Sequence, residues 1–252
     1  TANFTYAWRS NGIGPRVGNF QNSALTARAS MSGHLAPGWE WNVAAGFGQS
    51  DFTQDLKNNV NSVALLQGVA GCNNVPVAAR LPNCVNVDIF GPNVTTAAMS
   101  NFVGTDIKAI GKFEQSVVSG YVRGDLFQLP AGPISTVFGV EYRGDDGEFL
   151  VDDAQARGEI AGFNQQNSIV GDIDVYEAYT EVVYDLSIEG GYRTSDYSTI
   201  GSVSSYKYGG SYSPFEWMTF RSVYNKAVRA PNLQEVGQAG DQGFPGYTDP
   251  CN

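Results

Sequence analysis

The sequence has little charge and no long hydrophobic run. Charged residues make up 16% of the chain, whereas soluble domains carry about 25%, so something other than a charged surface must cover much of this protein. No run of about eighteen apolar residues occurs, which excludes a transmembrane helix. A membrane-spanning β-strand needs only about ten residues of alternating character. These absences therefore leave open a protein that crosses a membrane with strands.

Basic residues and histidine are also scarce. The chain has 15 Lys and Arg against 25 Asp and Glu, a net charge of −10, which argues against nucleic acid as a partner because nucleic-acid binders carry basic faces. The single His34 and three scattered cysteines offer no zinc-ligand spacing, so no metal or cofactor is predicted. His34 falls in a predicted turn and leaves no Ser/His/Asp set. No catalytic residue is assigned, and an enzyme is not expected.

The cysteines are Cys72, Cys84 and Cys251. Cys72 and Cys84 lie in a segment rich in Gly, Asn and Pro, at a spacing that suits a loop-closing disulfide and an oxidising compartment. The alternative is two unpaired buried thiols. Cys251 has no partner in this sequence, and we expect its partner to lie beyond Asn252.

What the sequence does contain is alternation with a period of two, which places successive side chains on opposite faces of a strand. Trp39, Trp41, Val43 and Phe47 alternate with small or polar residues. The same pattern predicts strands at 118–126, 134–143, 176–184, 186–193, 206–212 and 218–225. A soluble β-sandwich turns the polar face outward, whereas a membrane barrel turns it toward a wet lumen. Alternation alone does not choose between them.

The predicted connections alternate between short and long. Short turns are predicted at 34–38, 129–133 and 213–216, and a further one near Tyr184 and Asp185. Long connections are predicted at 50–112, 144–171 and from 230 past 251. Strict alternation places every long loop at the same end, as in outer-membrane barrels with tight periplasmic turns and long extracellular loops. The connections therefore favour the membrane barrel.

Several motifs then resemble one family. The segment SVYNKAVRAPNLQEV (222–236) closely resembles the pattern with which TonB-dependent receptors end a barrel strand and begin an extracellular loop. The matching residues are Ala227, Arg229, Ala230, Pro231, Asn232 and Glu235, with departures at Lys226 and Val236. GGYRTSDYS (190–198), LPAGPISTVFGVEYRGD (129–145), NCVNVDIFG (83–91) and DPC (249–251) are also similar to segments of large proteobacterial receptors. The motifs occur in the expected order and cover most of the chain.

This resemblance implies an all-β, antiparallel transmembrane β-barrel, with about 22 strands in the complete family fold. Residues 1–252 are expected to be part of the barrel domain, with the plug domain and the C-terminal strands absent from this chain. The implied function is energy-coupled uptake of a scarce nutrient, whether siderophore, vitamin, saccharide or peptide, across the bacterial outer membrane. The implied partners are outer-membrane lipid, the receptor's own plug, the TonB complex acting through that plug, and the small nutrient. The alternatives are a passive porin-like or structural barrel and a secreted all-β binding module.

Charged residues on the polar face are expected to point into the lumen, because charge is costly against lipid. They are Arg123, Asp125, Glu141, Arg143, Glu177, Glu181, Glu189, Arg193, Lys207 and Arg221. We expect them to pair with one another or with the plug. The alternative is a relay that conducts substrate.

The family motif near residue 230 is interpreted as structural. Pro231 is expected to end the strand at the rim, the residue before it to be extended, and Arg229 and Asn232 to fix the transition by hydrogen bonds. The alternative is direct ligand contact.

The predicted loops carry two further groups of residues. An acidic loop containing Asp145, Asp146, Glu148, Asp152 and Asp153 is expected to be a solvated surface, with calcium binding as the alternative. Aromatic residues at Phe149, Phe163, Phe244 and Tyr247 are candidates for ligand stacking or for packing within the loops.

Overall fold

The computed structural model describes residues 11–89, 96–129, 132–184, 188–215 and 217–237. Eight strands form one antiparallel sheet in which the strands follow chain order. The strands are β1 (Val17–Ala36), β2 (Trp39–Val60), β3 (Gly104–Leu129), β4 (Gly132–Val151), β5 (Ile169–Tyr184), β6 (Ile188–Tyr197), β7 (Gly201–Phe215) and β8 (Met218–Lys226). The helices are α1 (Ser62–Ala70), α2 (Ala97–Val103), α3 (Asp153–Ala156) and α4 (Leu233–Gly237). The predicted all-β antiparallel fold is confirmed.

The register of the sheet merges the predicted strand faces into two continuous surfaces. Val122 of β3 is paired with Trp41 of β2 and Phe138 of β4, and directly opposed residues of neighbouring strands share a face. The apolar face contains Trp41, Val43, Val118, Val122, Phe138, Val140, Val182, Ile188, Tyr208 and Phe220. The charged residues predicted to face a lumen lie on the opposite surface, the polar face.

The apolar face is uncovered. The exposed fraction is 62% for Val140, 49% for Val43 and 47% for Phe138. Within the described residues the strands form a single sheet, so no second sheet buries these side chains as a soluble sandwich requires. None of the helices in the described part of the chain is long and apolar enough to cross a membrane.

Tight turns gather at one end of the sheet. Pro37 and Gly38 join β1 to β2, with Gly38 at a φ of 77° that glycine adopts without strain. Strand β5 ends at Tyr184 and pairs there with Ile188, the first residue of β6. Residues 130–131, 185–187 and 216, on which parts of the other predicted turns fall, lie outside the described residues. The position predicted for His34 is wrong: it belongs to β1 and pairs with Glu40, because the ladder continues to the turn itself.

Two long connections are shorter than predicted. Strands β2 and β3 extend to Val60 and from Gly104, and β4 and β5 extend to Val151 and from Ile169. In these extensions the face that carries the ion pairs becomes apolar, with Ala109, Ile173 and Val175 buried, and the opposite face becomes largely polar. The period-two pattern therefore reverses while the backbone pairing continues. Asp145, Asp146 and Glu148 are consequently paired residues of β4 and not part of an acidic loop; they lie opposite Gln115, Glu114 and Lys112 of β3.

The connection between β6 and β7 contradicts the predicted alternation of short and long. It consists of residues 198–200, although it lies at the end where the neighbouring connections are long. The Ser198 amide donates to the Asp174 carbonyl at 2.9 Å and closes this end of the hairpin against β5. Pairing between β5 and β6 stops at Val175 and Tyr197, so the first residues of β5 extend beyond the end of β6.

The long loops carry their own packed core. Ala64, Val87, Met99 and Val103 form a buried cluster within the first long loop (residues 61–103). A disulfide joins Cys72 to Cys84, as predicted. This loop is therefore a small folded unit at the rim and not an extended strap.

The second long loop (residues 152–168) is bonded to the first. The Ser62 amide donates to the Glu159 carbonyl at 2.7 Å, and the Ala161 amide donates to the Val60 carbonyl at 2.8 Å. The Asn61 amide group also donates to the Glu159 carboxylate at 3.3 Å. The two loops thus form one cap at this end of the sheet.

Candidate functional site

Ion pairs on the polar face connect adjacent strands. Lys207 of β7 bonds to Glu181 of β5 and lies 3.8 Å from Glu189 of β6. Gly191 stands between Glu181 and Lys207 in the register, so the lysine stem passes over a position without a side chain. One lysine therefore ties three strands together.

Arg193 forms a second connection on the same face. Its guanidinium lies 3.4 Å from the Glu177 carboxylate and 5.2 Å from the centre of the Tyr179 ring. Ser195 donates to the other oxygen of Glu177 at 2.7 Å. The Tyr179 ring lies across Gly139, where an added Cβ would come within 2.2 Å of the ring. Glycine is required there because the tyrosine occupies the space.

Toward the two ends of the sheet the pairing continues. Arg123 donates to Glu40 at 2.8 Å near the tight turns, and Arg143 lies 3.2 Å from Asp145 nearer the long loops. Asp125 accepts from Ser135 at 2.7 Å. Arg221 lies on the same face, in the terminal strand β8 and opposite Ser211.

Glu141 differs from the other charged residues of this face. It lies directly opposite Glu177, and like charges in that position repel. Glu177 is bonded to Arg193 and Ser195, whereas among the described residues Glu141 has no ion-pair partner. This part of the wall consequently presents a free carboxylate.

The family motif builds a capped helix beyond β8. The Glu235 amide donates to the Asn232 side chain at 2.8 Å, and the Asn232 amide donates back to the Glu235 carboxylate at 3.0 Å. This reciprocal pair is a capping box, and Arg229 adds a bond to Glu235 at 2.7 Å. The spacing Asn-x-x-Glu in the sequence carries this signal, which the sequence interpretation missed.

Pro231 does not end the strand as predicted. Strand β8 already ends at Lys226, and Ala227 and Ala230 lie in the irregular segment that follows. The chain leaves the ladder early because it crosses to β4 and β5, where α4 docks: Leu233 lies against Gly147 and Gly171. The proline therefore precedes the helix cap instead of terminating the ladder.

Leu233 enters a depression in the polar face, which we call the glycine hollow. Its floor is Gly111, Gly147 and Gly171, and its apolar walls are Phe52, Phe113, Phe149 and Ile169. A space of about 370 Å³ remains beside Leu233 and Gln234, which form part of its lining. Phe149, predicted as a loop aromatic, is instead part of β4, because the ladder continues past the expected span.

The other predicted aromatic residues are placed differently. Phe163 lies in the second long loop, where the Arg16 guanidinium sits 5.8 Å from the centre of its ring, and Arg16 also donates to the Ala161 carbonyl. Phe163 thus contacts the segment that leads into β1. Phe244, Tyr247 and Cys251 lie outside the described residues.

The capping box is expected to loosen in acid. The bond from Arg229, followed by that from the Asn232 amide, lowers the pKa of Glu235 below its ordinary 4.5. A carboxylate with a lowered folded-state pKa stabilises the fold above its ordinary pKa, and that stabilisation is lost as the pH falls through the lowered value. A spin label at position 236 should therefore become mobile on acidification.

The control for this prediction is Glu235→Gln, in which the label should be mobile already at neutral pH. A second label on α3, at position 153, should not respond in step with the first. Equal mobility at position 236 from neutral pH down to pH values below the carboxylate range would contradict the role given to Glu235.

Comparison with known proteins assigns this architecture. The family model described as TonB dependent receptor-like, β-barrel, matches residues 1–250. The chain belongs to this family. The family predicted from the sequence motifs is therefore confirmed. TonB-dependent receptor barrels are transporters of the Gram-negative outer membrane. No curated protein and no solved structure matches the chain significantly.

Proposed function

We propose that this TonB-dependent receptor barrel imports a scarce small nutrient by energy-coupled active transport. The observation that carries the proposal is the two-faced sheet of a member of this family. Its apolar face is bare, as contact with lipid requires, and its polar face is crossed by ion pairs, as a lumen wall requires. The nutrient classes in question are siderophores, vitamins, saccharides and peptides.

The barrel is proposed to be completed by further strands. In the described part of the chain β1 and β8 each pair with one neighbour only. Open sheet edges do not occur against hydrocarbon, because their backbone groups would lack partners. Residues 1–252 then form part of the barrel domain, with a plug domain and further strands supplied from outside the chain.

The polar face is proposed to hold the plug. The ion pairs of Lys207 and Arg193 brace the wall, and the free carboxylate of Glu141 beside Glu177 is suited to a cationic side chain of the plug. The cap formed by the two long loops lies at the opposite end from the tight turns, which supports an extracellular position for the cap. The ligand then enters from the cap side, and the TonB complex pulls on the plug from the periplasm.

Uptake should depend on both the receptor and TonB. Cells would be supplied with a mixture of ferric siderophores, cobalamin, maltooligosaccharides and oligopeptides, and loss of each compound from the medium would be followed by mass spectrometry. We expect one class to disappear only when the receptor and TonB are both present. Receptor-dependent loss that persists without TonB would instead show a passive, porin-like barrel.

A further inference from the structure

The upper rim of the sheet steps down from β5 to β8. Pairing between β5 and β6 stops at Val175 and Tyr197, and pairing between β7 and β8 stops at Tyr206 and Lys226. In the described part of the chain, the first residues of β5 and those of β7 consequently have a neighbouring strand on one side only. The step leaves a gap in the wall above β6, β7 and β8, on the side of the long loops.

The segment that follows β8 crosses this gap. We call residues 227–237 the strap. The strap starts where the stepped rim is lowest, and its helix α4 lies on the polar face near the upper end of β5. Two contacts hold the helix there, Leu233 against Gly171 and Gly237 against Ile169. The strap therefore connects the low and the high side of the step.

The two sides of the strap differ in polarity. Leu233 contacts the wall, where Ile173 and Val175 continue the apolar surface along β5 and are buried. Arg229 and Glu235 are exposed and lie 2.7 Å apart. The strap thus covers an apolar part of the wall and presents a polar surface in its place, as a wet lumen favours.

We propose that the strap is a fixed part of the barrel wall, which closes the gap above β6, β7 and β8 and stays docked during import. The glycine hollow is then the packing site of Leu233, and the strap joins the end of β8 to β4 and β5. The statement about import rests on the proposed uptake function, whereas the connection between the strands does not. The contrary arrangement is a lid that has to leave the wall before a nutrient can pass.

An engineered disulfide tests whether the strap has to move. A Cβ at Gly237 would lie 3.9 Å from the Cβ of Ile169, close to the separation of about 3.8 Å found in disulfides. Gly237→Cys combined with Ile169→Cys should therefore join the strap to β5, and mass spectrometry would confirm the bond. Failure of the two cysteines to join would contradict a docked strap.

Uptake of the mixture of ferric siderophores, cobalamin, maltooligosaccharides and oligopeptides would then be compared between the oxidised and the reduced double variant. We expect both forms to import the same compound at the same rate. Ile169→Cys alone is the matched control, because it cannot lock the strap. Uptake that stops on oxidation and returns on reduction would show a lid and overturn the proposal.

The connection between the strands is tested without transport, by the distance between spin labels at positions 172 and 226 of the full-length receptor in lipid nanodiscs. Leu233→Asp should broaden the distribution of distances, because it places a charge in an apolar packing site and releases the strap. Val236→Ala, an exposed change on α4, is the control and should leave the distribution as narrow as in the wild type.

Equal distributions in Leu233→Asp and the wild type would overturn the role of the strap as a connection. Native folding of each variant is checked by its heat-dependent mobility on gels, and Leu233→Ala replaces Leu233→Asp if the latter does not fold. Uptake that continues without TonB would refute the uptake proposal and leave the distance measurement standing.

Discussion

Arginine at Val122 is expected to destabilise the barrel by about 2 to 4 kcal/mol, the cost of a cation on the lipid side near the bilayer midplane. Val122 lies between Trp41 and Phe138 in the register, in the middle of the apolar face. Among the described residues, the neighbours of Val122 on that face carry no carboxylate with which an arginine could pair. The side chain must either reach out of the membrane or draw water into it.

The matched control is the same substitution at Tyr121, the adjacent residue on the polar face. Tyr121 lies opposite Asn42 and Gly139, where a wet lumen solvates the guanidinium, so the loss should be much smaller. Unfolding by urea in lipid vesicles gives both free energies. Equal costs at the two positions, or a larger cost at Tyr121, would contradict the assignment of the faces.

Removal of the disulfide is expected to destabilise the folded first long loop by about 3 kcal/mol, the chain-entropy value for a loop of this length. Cys72 follows α1, and the chain returns through Cys84 to pack Val87 against that helix. Without the bond, this packing alone must hold the two segments together. The loss should be local, because the strands have their own ladder.

Cys72→Ser with Cys84→Ser should therefore speed proteolysis of the loop while the urea midpoint of the barrel changes little. Cys251 serves as the control, since its replacement should leave cleavage of this loop unaffected. Mass spectrometry that finds Cys72 and Cys84 as free thiols in protein taken from the outer membrane would refute the disulfide. Cleavage at the wild-type rate in the double variant would refute its stabilising role.

The strands and their faces were predictable because strand geometry itself imposes the period of two. Residues such as Phe138 and Glu141, which lie three positions apart, mark the apolar and the polar face of the same strand. This pattern also sets the register, because a shift by one residue would move every side chain to the other face. The lengths of the connections, and then the family motifs, added what the alternation of residues could not, the choice between a sandwich and a membrane barrel.

The predictions failed where contacts between distant segments decide the structure. Strand β4 continues through Asp145 and Phe149 because β3 and β5 remain beside it, although the local pattern looks like a loop. A contact between distant segments also accompanies the early end of β8, because Leu233 beyond this strand packs against glycines of β4 and β5. No local sequence pattern predicts the glycine hollow, because its floor and walls come from four separate strands.

The most direct test of the barrel wall is a spin-label scan along β4 of the full-length receptor in lipid vesicles. Labels at positions 138, 140 and 142 would be compared with labels at 137, 141 and 143, leaving out Gly139, where Tyr179 occupies the space. We expect the even positions to be accessible to oxygen dissolved in the bilayer and the odd positions to a water-soluble nickel chelate. The reverse pattern, or no alternation between even and odd positions, would contradict a wall with lipid on its apolar side and a wet lumen on the other.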